Sequence, residues 1–94
     1  MRMKWIVYIL ECADRSLYTG ITNDLKRRLD AHAAGKGARY TKSRGPFLLR
    51  YSERRRTKGA ALKREAAIKS LDRSAKLTLI SATPQTATGG RPRD

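Results

Sequence analysis

The chain has 94 residues, a length that fits one domain with one modest core. Its 22 Lys and Arg against eight Asp and Glu give a formal charge of +14 and a pI near 11.0. So self-repelling a balance points to a polyanionic partner, nucleic acid first, with ribosomal RNA and acidic membranes as rivals. No run of about 18 or more apolar residues occurs, so no membrane span is expected, and a single cysteine excludes an intramolecular disulfide.

Trp5 to Leu10 is a continuous apolar run rich in β-branched and aromatic residues, the pattern of a strand covered on both faces. Arg2 and Lys4 accompany it, but the run stops at Glu11 without a small-residue cleavage site, so a strand is expected rather than a signal peptide. The lone Cys12, a small side chain at the strand end, points to a reducing, cytoplasmic compartment. Ala13-Asp14-Arg15-Ser16 has turn composition, and Leu17 to Ile21 is the expected second strand of a hairpin. Its register decides whether Tyr8 and Tyr18 act together. If Tyr8 opposes Gly20 both project from one face; a slip of one residue separates them.

After Gly20 a helix is expected from about Asn23 to Ala34, with Thr22 and Asn23 as capping residues and Gly35 and Gly37 as the break. Leu25 and Leu29 set its buried face. At about 100° per residue, Arg28 and His32 fall on the edge of that stripe. A guanidinium and an imidazole there, beside a tyrosine and a helix N-terminus, can receive an anion. The loop from Lys36 to Pro46 is basic with one aromatic, and Phe47 to Ser52 reads as a third strand. Arg54-Arg55-Arg56 then forms a phosphate-contacting or solvated patch. Between Lys36 and Lys58 nine basic residues face one acid, Glu53, so +8 of the +14 sits in about a quarter of the chain.

Thr57 is the expected cap of a second helix through Leu71, on which Ala61, Leu62, Glu65, Ile68 and Lys69 share a face. Glu65 thus lies in an apolar stripe, where a carboxylate is costly unless it is paired, hydrogen-bonded or bound to a cation. Asp72-Arg73-Ser74 reads as a kink and Ala75 to Ile80 as a short last helix with Leu77 and Ile80 for the core. Residues 1–80 are expected to form the domain, and 81–94, rich in Pro, Thr, Gly and Arg, a disordered basic tail.

Taken together, Ile6-Val7-Tyr8, Tyr18-Thr19-Gly20, the following Thr22, Asn23, Leu25, Arg28 and His32, and a later helical Glu65 resemble the GIY-YIG nuclease family. More narrowly the chain is similar to the small stand-alone bacterial branch often called YhbQ-like, over about residues 4 to 80. The resemblance implies an α/β domain: a three-stranded antiparallel sheet flanked by helices in the order β-β-α-β-α-α. It implies hydrolysis of DNA phosphodiester bonds with one divalent metal, Mg2+ or Mn2+, and a setting in DNA repair. In the family's terms Tyr8 and Tyr18 are the paired tyrosines, one helping to activate water. Arg28 binds the scissile phosphate, and Glu65 is the sole protein ligand of the metal. His32 matches a position that some branches use for a histidine near the phosphate, and Lys69 a basic position common in this branch. The first tripeptide is Ile-Val-Tyr rather than Gly-Ile-Tyr, and a late asparagine of several relatives has no clear counterpart after Ile80.

Elementary chemistry asks for a similar set. Phosphodiester hydrolysis needs an activated water and neutralised phosphoryl charge. A lone carboxylate suits a hard cation that keeps most of its waters, and arginine presents a planar fork to phosphate oxygens. Tyrosine titrates near 10, so His32 is an alternative proton acceptor. The expected function is a metal-dependent DNA endonuclease of low sequence specificity, acting on branched, nicked or single-stranded forms. Lys36, Arg39, Tyr40, Thr41, Lys42, Arg44 and Lys69 are the expected nucleic-acid contacts, Tyr40 by stacking on a base or by closing over the core. The alternative is a module that binds DNA or ribosomal RNA and cleaves poorly. No small-molecule cofactor is expected.

Overall fold

The structure, a computed structural model, describes residues 4–82. Strands β1 (Trp5–Glu11), β2 (Leu17–Thr22) and β3 (Leu48–Arg55) and helices α1 (Leu25–Ala33), α2 (Lys58–Lys69) and α3 (Arg73–Ala82) follow one another as β1-β2-α1-β3-α2-α3. The sheet is antiparallel in the order β2-β1-β3. This is the α/β architecture expected from the sequence.

β1 occupies the middle of the sheet, and Ile6 to Leu10 are all buried. A strand covered on both faces needs no polar alternation, which explains the unbroken apolar run. Its side chains still alternate. Val7 and Ile9 join Tyr51, Ala61 and Ile68 in a buried cluster, with Leu17, Ile21, Leu79 and Ile80 packed around it. Tyr8 and Leu10 point the other way, toward α1 and the segment that follows it.

The hairpin register is the productive one. Tyr8 pairs with Gly20 and Leu10 with Tyr18, so the two tyrosines share a face with ring centroids 6.4 Å apart. The same register explains the glycine. A Cβ at position 20 would lie 2.6 Å from Tyr8 Oη and 2.8 Å from its Cζ, so any larger residue pushes the tyrosine away.

Four local expectations need correction. Asp24, not Thr22 or Asn23, caps α1 by accepting from the Arg27 N–H at 3.2 Å. Thr22 Oγ1 instead shapes the turn, accepting from the Asp24 N–H at 3.0 Å. β3 runs to Arg55 because Glu53 is tied into the fold by Tyr51, Arg55 and Arg64. Charge does not end a strand whose charged side chains find partners. Asp72 caps α3 rather than kinking the chain, its Oδ1 accepting from the Ala75 N–H at 2.8 Å, so that helix starts at Arg73. Its far end reaches Ala82, inside the stretch expected to be tail; residues 83–94 lie outside the described residues.

The fourth correction concerns α2. Ala61 and Ile68 are fully buried, whereas Leu62 is 45% exposed. Arg64 fixes the helix phase by donating through Nε to both carboxylate oxygens of Glu53, at 3.1 and 3.0 Å. Among the described residues no helix is long and apolar enough to cross a membrane. The packing predicts that Ile68→Ala costs about 2–5 kcal/mol, while Leu62→Ala stays within about 1 kcal/mol. Urea unfolding of the two variants checks this, and equal losses would contradict the observed helix phase.

Candidate active site

The site forms on the tyrosine face of β1 and β2, where α1 brings Arg28 and His32. The end of α1 matters as much as its start. Gly35 takes φ +79°, the Lys36 N–H donates to Ala31 O at 2.8 Å, and the Gly35 N–H to His32 O at 3.0 Å. This doubly bonded exit is the Schellman arrangement that glycine favours. It turns the chain back over its own helix, so that Gly37 passes against the His32 ring. A Cβ there would lie 2.2 Å from His32 Nδ1.

Thr41 then reaches His32 from the same segment, and a directed chain of hydrogen bonds results. Thr41 Oγ1 donates to Ala38 O at 3.2 Å, so it accepts from His32 Nδ1–H at 2.8 Å. That leaves His32 Nε2 as the acceptor for Tyr8 Oη–H, also at 2.8 Å. Tyr8 Oη in turn accepts from Arg28 Nε–H at 3.4 Å. The network assigns the histidine tautomer, with its proton on Nδ1.

Burial keeps this chain neutral apart from the arginine. Tyr8 is 0% exposed, and His32 and Thr41 are each 1% exposed. Burial pushes the Tyr8 phenol above its ordinary value; the Arg28 hydrogen bond opposes this, and the charges of Tyr18 and Glu65 add to it. Burial also pushes His32 down, helped by the Arg28 charge. Arg28 is held still more firmly in its charged form, chiefly by its bond to Tyr8.

The residues expected to do chemistry therefore fall into two layers. Tyr8 and His32 are buried, backed by Thr41. Tyr18 and Arg28 are half-buried and open outward. Tyr18 lies against the buried layer, its ring centroid 5.3 Å from that of His32. Glu65 comes from α2 with 18% of its side chain exposed, and its charge is felt at Tyr8. A half-buried guanidinium and phenol thus rest against a buried support whose own hydroxyl and imidazole are already engaged, and the charge of the α2 carboxylate reaches it.

Lys36, Arg39 and Lys42, expected as nucleic-acid contacts, are exposed on the segment between α1 and β3. Tyr40 is 42% exposed and stacks on Tyr18, with centroids 5.9 Å apart and planes at 21°. Arg44 lies 4.4 Å from the Tyr40 ring centroid and pairs with Asp14. Lys69 is 53% exposed and lies 3.3 Å from Glu65. Thr41 is the exception: its buried hydroxyl is engaged by His32 and Ala38, so it supports the site from within. The sequence reading missed this role, and those of Gly37 and Arg64. The close Gly35–Gly37 pair after a histidine is the one signal that could have exposed Gly37.

Of the residues expected at the site, Glu65 is the one that could hold a cation. Among the described residues no group of three or more His, Cys, Asp or Glu could surround a metal ion. A single, partly exposed carboxylate nevertheless fits a hard cation that brings water and takes its remaining ligands from a phosphate.

The neutral chain makes a pH prediction. His32 titrates below 6.5, so its contribution to stability is complete above about pH 6.5 and is lost as pH falls through the lower folded-state value. Nitrogen-15 NMR should find an Nδ1–H tautomer at pH 7 and a midpoint below 6.5; a midpoint above it, or an Nε2–H tautomer, contradicts the network.

Comparison with known proteins gives the arrangement its family. The model of the GIY-YIG catalytic domain matches residues 4–78. The UPF0213 protein of Desulfotalea psychrophila is 51% identical over 83 residues, covering 87% of this chain and 76% of that protein. The UPF0213 protein of Streptococcus sanguinis is 48% identical over 87 residues, covering 93% and 100%. The solution NMR structure of the UPF0213 protein BH0048 from Bacillus halodurans is similar in fold, with a TM-score of 0.57, 44% identity and 88% of each chain covered. By that domain match and those relatives, the chain belongs to the GIY-YIG nuclease family, in its UPF0213 branch.

Proposed function

We propose that this chain is a metal-dependent endonuclease that hydrolyses DNA phosphodiester bonds with low sequence specificity, in the setting of DNA repair. What supports the reading is Arg28 and Tyr18 set against the neutral Tyr8–His32–Thr41 chain, with the charge of Glu65 on α2 reaching Tyr8. Arg28 binds the scissile phosphate with its fork, charged at any working pH. Its Nε is held by Tyr8, which fixes the guanidinium before substrate arrives. Tyr18 is the phenol able to meet the attacking water or a phosphate oxygen, because Tyr8 presents no exposed surface. Tyr8 and His32 act in this reading as positioning residues.

Glu65 would hold one Mg2+ or Mn2+. When bound, such an ion supplies charge neutralisation on the phosphate and an acidified water. The exposed Lys36, Arg39 and Lys42 grip backbone phosphates, which supports weak sequence preference. A second reading, a module that binds nucleic acid and cleaves poorly, is favoured by one observation: Lys69 already neutralises Glu65 at 3.3 Å.

The two readings separate in one assay on DNA and RNA, in duplex, forked, flapped and single-stranded forms, with and without Mg2+ or Mn2+. The nuclease reading predicts metal-dependent nicking that Glu65→Gln abolishes, with binding retained within about threefold. Arg28→Ala should lower kcat/KM about 10²–10³-fold and weaken binding as well. Binding without nicking by the parent chain, at every metal concentration, would favour the module. An Arg28→Ala variant that cuts as fast as the parent would remove Arg28 from the site.

A further inference from the structure

A separate concavity adjoins the outward face of this site. It has a volume of about 300 Å3 and is lined by Leu17, Tyr18, Thr19, Tyr40, Lys69 and Lys76, so β2, α2, α3 and the segment before β3 all contribute. Its chemistry is mixed in a particular way. Two phenol rings, already aligned on each other, form one wall. Two ammonium groups are set against them. Lys69 is shared with Glu65, and Lys76 has no ion-pair partner among the described residues. Thr19 adds a buried hydroxyl oxygen without a hydrogen-bond partner, on a side chain only 3% exposed.

We infer that this cavity receives one unpaired nucleotide next to the scissile phosphate, making the substrate a strand with an extrahelical or single-stranded nucleotide rather than continuous duplex. The inference rests on the nuclease reading of the neighbouring site, with which it shares Tyr18 and Lys69. Aromatic walls take a base without reading its edge, and the two lysines take the flanking phosphate as point charges. The volume, at the small end of ligand pockets, admits one base and not a stacked pair. A base inside a duplex is held by its neighbours on both sides and must leave the stack to enter. Tyr40 is also held in place for this task, since Arg44 lies over its ring and is anchored by Asp14 in the hairpin turn.

The test reads binding rather than cleavage. Glu65→Gln protein is titrated with a perfect duplex and with the same duplex carrying one extrahelical 2-aminopurine. The expected result is about tenfold tighter binding of the second, with the fluorescence of the analogue quenched on binding. Adding Tyr40→Ala should bring the preference within twofold and abolish the quenching, and Tyr40→Phe should restore both. Adding Lys76→Ala should lower the salt slope for the extrahelical substrate by about one. Equal affinity for the two duplexes, no binding of either, or a preference that survives Tyr40→Ala overturns the inference. Preference without cleavage by the parent chain would sink the nuclease reading alone, and cleavage without preference would sink the pocket alone.

Discussion

Everything at the site depends on the close approach of Tyr8 to Gly20 across the hairpin. With no side chain in the way, the phenol lies flat enough on β2 for its hydroxyl to meet His32 at 2.8 Å. From that contact the other positions follow. His32 must offer a lone pair at Nε2, so Nδ1 must carry the proton and needs an acceptor. Thr41 supplies it only because the chain doubles back tightly over Gly35 and Gly37. Arg28 then has one fixed hydrogen-bond acceptor on its Nε side. Gly20 and Gly37, far apart in the chain, thus serve the same end, one against Tyr8 and the other against His32.

The electrostatics follow from the same burial. A neutral imidazole and a neutral phenol can be buried because each hydrogen bond is directed and complete. Their neutrality leaves the positive charge beside Tyr8 to Arg28, and the negative charge of Glu65 on α2 also reaches Tyr8. The Arg64–Glu53 bridge ties α2 to β3 at the residue next to Glu65 in the chain.

Much of this was legible in the sequence, for identifiable reasons. The apolar run of β1, the turn composition before β2, the Thr57 cap and the glycines after α1 each carry a local signal that no tertiary contact reverses. The ordered tyrosines, Arg28 and Glu65 carried the family. What stayed hidden depends on contacts far apart in sequence. The hairpin register has no local marker, because both alternatives keep β1 apolar on both faces. Asp24 outcompetes Thr22 and Asn23 because Thr22 is spent on the turn itself. Thr41 looks like any hydroxyl in a basic loop until the loop folds back on α1. Leu62 looks like core until Arg64 fixes the rotation of its helix.

The central claim is that Arg28, Tyr18 and Glu65 surround the place where a sugar–phosphate link lies. A crystal structure of the Glu65→Gln protein with a short, uncleaved oligonucleotide tests it most directly. The account predicts a backbone phosphate within hydrogen-bond distance of the Arg28 guanidinium and the Tyr18 hydroxyl. A strand lying instead along Arg54 to Arg56, with Arg28 still bound to Tyr8 and no phosphate near it, would contradict it.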